Sequence, residues 1–242
     1  MTKTAVLSDI HGNLPALIAT VADAEARVCT RFLNLGDILS GPLWPAETAA
    51  WLMARDWPTI AGNHERQVLT DPPERMNVSD AFTRAALGTE VLDWMAALPS
   101  TLSLEDMFLC HGTPTSDVTP LTDSFEGDGL RIASEGEIVE RLAGQGASLT
   151  LCGHTHVPRL IGLADGRRLL NPGSVGLQAY DDDHPRPYRV ENGDPLARYA
   201  VIDGGAITLC AVAYDHLAAA RKAEAEGRAD WAIALATGRM GH

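Results

Sequence analysis

The sequence has no apolar run approaching the roughly 18 residues that a membrane-spanning helix needs, so no membrane partner is expected. Its opening stretch, MTKTAVLSDIHGN, lacks both a long apolar core and a small-residue cleavage site, and reads as mature cytoplasmic sequence. Cysteine is scarce and unpaired: Cys29, Cys110, Cys152 and Cys210 lie far apart and form no C-x-x-C. A zinc knuckle and a thioredoxin-type motif are therefore excluded, and buried free thiols in a reducing compartment are expected. Positive charge is also short. Nineteen Lys and Arg stand against 32 Asp and Glu, a net charge of -13, and lysine is nearly absent. Long nucleic acid, held mainly by neutralising phosphates, is an unfavourable partner for such a chain. A small anionic substrate stays open if a local cation dominates the field at its site.

What is present is an ordinary globular composition, 45% hydrophobic and 21% charged over 242 residues, enough to bury a full core. No internal repeat and no linker-like break occurs, so one domain over 1–242 is expected, with a helical C-terminal extension from about 215 that Asp215 caps and that reaches Ala236. Thr4 to Leu7 predicts a strand. Asn13 predicts the cap of a helix opening at Leu14, with Pro15 in its first turn and Leu17, Ile18 and Val21 at helical spacing. Arg31 to Leu35 predicts the next strand, and Gly36-Asp37 a turn at its end. A strand, helix and strand in that order make a βαβ unit, whose parallel strands bring their carboxyl ends to one side. Asp9, His11 and Asp37 should meet there.

The same reading predicts a helix over Pro45 to Arg55, a short strand at Thr59 to Ala61, and one long helix over Ser79 to Ala97. A hairpin is expected from Thr101–Leu104 and Met107–Cys110. Ser134 and Glu137 form a capping box for a helix to about Leu142. Strands are expected at Ser148–Cys152, Arg159–Leu163, Arg167–Leu170, Arg198–Ile202 and Ala206–Ala213. Two long polar loops, 113–129 and about 180–195, read as substrate-facing segments.

Five of the eight histidines end predicted strands: His11, His64, His111, His154 and His156. His184, His216 and His242 read as solvated. A single strand-end histidine is usually structural, but five grouped with Asp9, Asp37 and Asn63 are not a chance pattern. Imidazole nitrogens mixed with carboxylate oxygens suit borderline divalent ions such as Mn, Fe, Co, Ni or Zn. The candidates outnumber the ligands of one tetrahedral ion, and fit two ions sharing a carboxylate.

These motifs, Asp9-Ile10-His11, Gly36-Asp37, Gly62-Asn63-His64-Glu65, His111 and Gly153-His154-Thr155-His156, resemble in order and placement those of the calcineurin-like metallophosphoesterase superfamily. Ser8 to Asn13, Gly41-Pro42, Glu47 and Asn171-Pro172-Gly173-Ser174 resemble its small bacterial and archaeal phosphodiesterase branch. The resemblance implies an α/β (α+β) fold, a four-layer αββα sandwich of two mixed β-sheets flanked by helices. It implies two divalent transition-metal ions, the first held by Asp9, His11 and His156, the second by Asn63, His111 and His154, with Asp37 bridging them. It also implies hydrolysis of a small phosphodiester by a hydroxide held between the ions, with the catalytic His64 over the site assisting protonation of the leaving oxygen.

The departures narrow the expectation. Ser/Thr protein phosphatases of the superfamily carry Gly-Asp-x-x-Asp-Arg and Arg-Gly-Asn-His-Glu, with arginines that clamp phosphate and a second Asp that orients the histidine. Here Ser40 and Gly41 follow Gly36-Asp37, and Ala61 precedes Gly62, so both arginines and that Asp are missing. Arg66 is a candidate substrate contact or the partner of a surface acid. A dinucleoside-polyphosphate hydrolase, a phosphomonoesterase or a nuclease could use the same site. A non-catalytic interaction module, as in the retromer scaffold subunit, would have degraded ligands, whereas all are present here. A homo-oligomer is compatible with all of these.

Overall fold

The computed structural model describes residues 2–241. In chain order its first elements are β1 (Lys3–Leu7), α1 (Leu14–Ala26), β2 (Cys29–Asn34), α2 (Pro45–Met53), α3 (Asn63–Thr70), α4 (Val78–Ala86) and α5 (Thr89–Ala96). The middle of the chain forms β3 (Thr101–Leu104), β4 (Met107–Cys110), β5 (Asp123–Glu126), β6 (Gly129–Ile132), α6 (Glu135–Arg141), β7 (Leu149–Leu151), β8 (Arg159–Gly162) and β9 (Arg168–Asn171). The last elements are β10 (Ala179–Asp182), β11 (Tyr188–Glu191), β12 (Ala197–Asp203), β13 (Ala206–Val212), α7 (His216–Ala225) and α8 (Ala229–Thr237).

The first unit folds as the sequence pattern demands. Asn13 accepts a hydrogen bond from the Ala16 amide at 3.3 Å, capping α1, and β1 and β2 pair in parallel. They form one sheet, ordered β13-β12-β1-β2, and a second sheet is ordered β3-β4-β7-β9-β8. Each contains parallel and antiparallel pairs. Alternation along the strands sorts side chains to two faces. Val6, Leu33, Ala200 and Ile202 of the first sheet pack against Leu109, Leu149, Leu151 and Leu170 of the second. On the outer face, Ala5, Leu7, Phe32 and Tyr199 pack on Leu17 and Val21 of α1 and Leu52 of α2. On the other side, Phe108 and Leu169 pack on Ile138 of α6. The result is the expected αββα layering, with the carboxyl ends of β1, β2, β4 and β7 gathered at one edge.

Three expectations need correction. The stretch Ser79 to Ala97 is two helices, because Leu87 turns extended (φ -97°, ψ 134°) and Gly88 caps α5. The loops 113–129 and 180–195 each contain strands: β5 pairs with β6, and β10 with β11. Polar sequences such as Asp123-Ser-Phe-Glu126 carry little strand propensity, and the two hairpins are held by aromatic packing of Phe125 on Tyr188 and of Tyr188 on Tyr180. Thr59 makes only a single bridge to Asn34. The C-terminal tail is helical and capped by Asp215 as expected, in two helices separated at Gly227 (φ 77°). All four cysteines are free and buried, and among the described residues no helix is long and apolar enough to cross a membrane.

One buried ion pair joins the β5–β6 hairpin to the main sheet. Arg159 donates to Asp123 Oδ1 from Nε at 3.0 Å and from Nη2 at 2.8 Å, and Asp123 is fully buried. The Thr122 and Thr155 hydroxyls reach its other oxygen at 2.8 and 3.3 Å. Arg159→Ala leaves that carboxylate without a cation, at a cost of about 2 kcal/mol. A thermal melt should fall by about 4–8 °C for a chain of this size, and an unchanged midpoint would show that the pair contributes nothing.

Candidate metal centre

The candidate ligands sit on sharp turns directly after strands, and five of them hold left-handed backbone: Asp9 (φ 54°), His11 (51°), Asp37 (53°), His154 (69°) and His156 (59°). Few non-glycine residues adopt this region, Asp and His more readily than most, and each costs on the order of 1 kcal/mol. Backbone bonds between the loops hold them there. The amides of Asp9 and His11 donate to the carbonyls of Gly36 and Asp37, each at 3.0 Å, and Gly153 donates to His111 at 2.8 Å. Glycine is required where loops touch: a Cβ at Gly62 would lie 2.2 Å from Asp37 Oδ1.

Asp9, His11 and His156 converge in one group, and Asp37, His111 and His154 in another. Asn63 joins the second, its Oδ1 3.1 Å from His154 Nδ1. Gln67 accepts from Asn63 Nδ2 at 3.1 Å and so fixes which way the amide points.

The imidazole orientations show what these groups fit. Nδ1 of His11, His111 and His156 faces the carbonyls of Ser40, Leu35 and Leu177 at 2.7, 2.7 and 2.8 Å. A carbonyl only accepts, so each Nδ1 carries the hydrogen, and each ring in its neutral form presents a bare Nε2. Yet His11 Nε2 lies 3.1 Å from His156 Nε2, and His111 Nε2 lies 2.9 Å from Asp37 Oδ2. His111 Nε2 and Asp9 Oδ2 are buried without a hydrogen-bond partner. Lone pairs aimed at one another in a buried site repel unless a cation stands between them. The donor set, imidazole nitrogen with carboxylate and amide oxygen, fits borderline divalent ions.

The electrostatics point the same way. Burial and the neighbouring imidazole of His156 pull His11 down to about 4, and burial with His111 pulls His154 to about 4, leaving both neutral near pH 7. Burial opposes charge on His111, but the Asp37 carboxylate prevails and raises it to about 10. Asp37 is itself held well below the usual carboxylate range: burial works against this, and His111 and His64 outweigh it. Positive charge is thus demanded where the two groups meet.

His64 stands apart from the two groups. Its amide donates to Asp37 Oδ1 at 3.0 Å, its ring lies 5.5 Å from that of His11, and its side chain remains 23% exposed. Arg66 makes a two-pronged ion pair with Asp117, at 2.6 and 2.9 Å. The pair borders a cavity of about 380 Å³ that His111, Ser100, Thr101 and Thr115 also line. His184 is exposed and His216 half-buried, while His242 lies outside the described residues.

Several residues of the site were given no role by sequence reasoning, though Glu65, Asn171 and Ser174 stand in its motifs. Buried Glu65 accepts from the amides of Asp37, Ile38 and Gly62, each at 2.8 Å, and so fixes the Asp37 turn. Its place in Gly62-Asn63-His64-Glu65, as the third residue of α3, is a capping-box signal. Ser174 Oγ donates to the Asp9 carbonyl at 2.8 Å and Asn171 Nδ2 to Gly153 at 2.7 Å. Asp80 Oδ1 lies 2.8 Å from His64 Nδ1. Trp231 of α8 packs edge-on against His11, with ring centres 5.9 Å apart. Only tertiary structure brings Asp80 and Trp231 here.

The sequence model of the calcineurin-like phosphoesterase superfamily domain matches residues 2–188. An uncharacterized protein of Methanocaldococcus jannaschii is 24% identical over 200 residues, 78% of this chain and 74% of its own. A metallophosphoesterase from Sphaerobacter thermophilus superposes with a TM-score of 0.76 at 23% identity, covering 98% of this chain and 99% of its own. A hypothetical protein from Pyrococcus horikoshii superposes with a TM-score of 0.79 at 19% identity over the full length of both.

Two substitutions test the geometry. Asp37→Asn removes the carboxylate of the second group, and if Asp37 serves both groups, calorimetric titration with Mn should lose tight binding at both; retention of two tight sites would contradict a shared Asp37. Gly62→Ala drives a methyl into Asp37 and should weaken Mn binding in the same assay, whereas unchanged affinity would show that the turn yields freely.

Proposed function

The chain belongs to the calcineurin-like phosphoesterase superfamily, and from that premise we propose that it is a two-metal hydrolase of small phosphodiesters. The observation that carries the reading is the pair of adjacent donor groups, in contact where His111 Nε2 lies 3.9 Å from Asp9 Oδ1, with His11 Nε2 turned towards His156 Nε2 and His111 Nε2 towards Asp37 Oδ2. Asp9, His11 and His156 would hold one ion, Asn63, His111 and His154 the other, and Asp37 both. Divalent transition metals such as Mn, Fe, Zn, Ni or Co, when bound, supply an activated water and positive charge for the phosphoryl oxygens.

The chain's own residues then have distinct tasks. His64, with its Nδ1 on Asp80, presents Nε2 as the proton donor to the leaving oxygen. Glu65 keeps the Asp37 turn rigid, so that the ligands are placed before substrate arrives. The supply of cations supports the diester reading. Arg66 is neutralised by Asp117 and Arg228 by Asp230, so neither stands free to meet a second phosphate charge. A diester monoanion needs less compensation than a monoester dianion. The polar cavity beside Arg66 favours one second reading, a dinucleoside-polyphosphate hydrolase in which a further phosphate draws Arg66 from Asp117.

The test is turnover of the purified protein with Mn on a panel of phosphoesters. Chelation should abolish turnover and Mn restore it, and bis-p-nitrophenyl phosphate should be hydrolysed faster than p-nitrophenyl phosphate. Turnover indifferent to chelator would overturn the metal reading, and a preference for the monoester would overturn the diester one. His64→Ala should keep both metals while the rate falls by about 10²- to 10⁴-fold; loss of metal instead would remove His64 from the role of acid.

A further inference from the structure

The Asp of Gly-Asp-x-x-Asp-Arg that orients the histidine in related phosphatases has no counterpart at its place in this sequence, where Ser40 and Gly41 stand. We infer that α4 supplies the function from elsewhere in the fold: Asp80 is the positioning residue of His64. This rests on the proposed role of His64 as the acid.

Three observations carry the assignment. Asp80 is 1% exposed and among the described residues no Lys or Arg is paired with it, so its burial is not explained by a structural salt bridge; its Oδ1 lies 2.8 Å from Nδ1 of the His64 ring. The remaining bonds to the carboxylate aim it. Ser40 Oγ donates to Oδ1 at 2.6 Å, and Asn77 Nδ2 donates to Oδ2 at 2.6 Å. Its place in the first turn of α4 also sets a negative charge at the positive end of the helix dipole.

α4 in turn is fastened to the loop that carries the metal groups. Thr83 Oγ1 accepts from the Gly41 amide at 3.1 Å and donates to the Leu39 carbonyl at 3.3 Å. Ser40, whose hydroxyl holds Asp80, also offers its carbonyl to His11 Nδ1 at 2.7 Å. One residue thus references both the acid and a ligand of the first group. With Nδ1 engaged by Asp80, the ring cannot spin about χ2 without losing that bond, and Nε2 is the nitrogen left for substrate. The buried polar residues Asp80 and Thr83 of α4 are accounted for by this docking, while Ser79 Oγ accepts from Arg228 Nη1 at 2.8 Å.

The experiment compares two diesters of one phosphate, one with a p-nitrophenolate leaving group and one with an alkoxide. An alkoxide needs a proton as it departs, and nitrophenolate far less. His64→Ala, Asp80→Asn and the double variant are measured on both, with bound Mn and the melting temperature recorded for each. Ala85→Gly, which loosens α4 at an exposed position with no bond to Asp80, is the control for simple loosening of the helix. The expectation is that Asp80→Asn keeps two Mn per chain and loses about 10-fold or more extra kcat on the alkyl ester relative to the aryl ester, with KM little changed. His64→Ala should show the same selectivity, and the double variant should be no worse than His64→Ala alone.

Equal losses of Asp80→Asn on both esters, multiplicative losses in the double variant, or the same selectivity in Ala85→Gly would each overturn the assignment. So would loss of Mn from Asp80→Asn, which would place Asp80 among the supports of the metal groups. If His64→Ala itself shows no leaving-group selectivity, the acid role fails and the positioning role fails with it. If it does show selectivity and Asp80→Asn does not, only the positioning role fails.

Discussion

The structure depends on one electrostatic constraint: buried lone pairs that face one another across the edge of two sheets. Nδ1 of three imidazoles is tied to a backbone carbonyl, so the bare Nε2 atoms cannot turn away from their neighbours. That arrangement is unfavourable for the polypeptide alone, and it becomes favourable once positive charge is placed between the donors. The left-handed turns at Asp9, His11, Asp37, His154 and His156 belong to the same bargain. They add strain that the sheets and the interloop bonds must over-determine. Stability is therefore stored in the sandwich core and drawn upon at its edge.

The supports are distributed so that no ligand loop stands alone. Glu65 binds three amides of the Asp37 turn and its neighbour, Ser174 and Asn171 hold the first and last ligand loops, and Asp123 joins the Thr155 hydroxyl to Arg159. The C-terminal helices also reach the site, since Trp231 packs on His11 and against Gly41. Displacement of any one support would reach both donor groups, because their loops are hydrogen-bonded to each other.

How much of this was legible beforehand depended on the range of the interaction. The βαβ unit could be read because Asn13, Pro15 and the spacing of Leu17 and Val21 are local signals. The candidate ligands could be picked out because each follows an apolar run, and their order resembles a known family. Glu65 was half-visible, as the third residue after Gly62. The hairpins containing Asp123 to Glu126 and Ala179 to Asp182 were not legible, because polar strands of low propensity are stabilised by packing on one another, which no local pattern encodes. Asp80 was hidden inside what reads as one long helix, and its meaning comes from Ser40 and His64, which are 40 and 16 residues away. Arg66 was readable as a cation near the site, but its partner Asp117, 51 residues on, was not.

The central claim, that Asp37 joins two ions into one centre, is tested most directly by electron paramagnetic resonance during titration with Mn. One equivalent should give the signal of an isolated ion. A second equivalent should replace it with the broadened, many-line spectrum of two exchange-coupled ions sharing a ligand, and Asp37→Asn should never show that spectrum. A second equivalent that merely doubles the isolated signal would mean two independent sites, and would contradict the account.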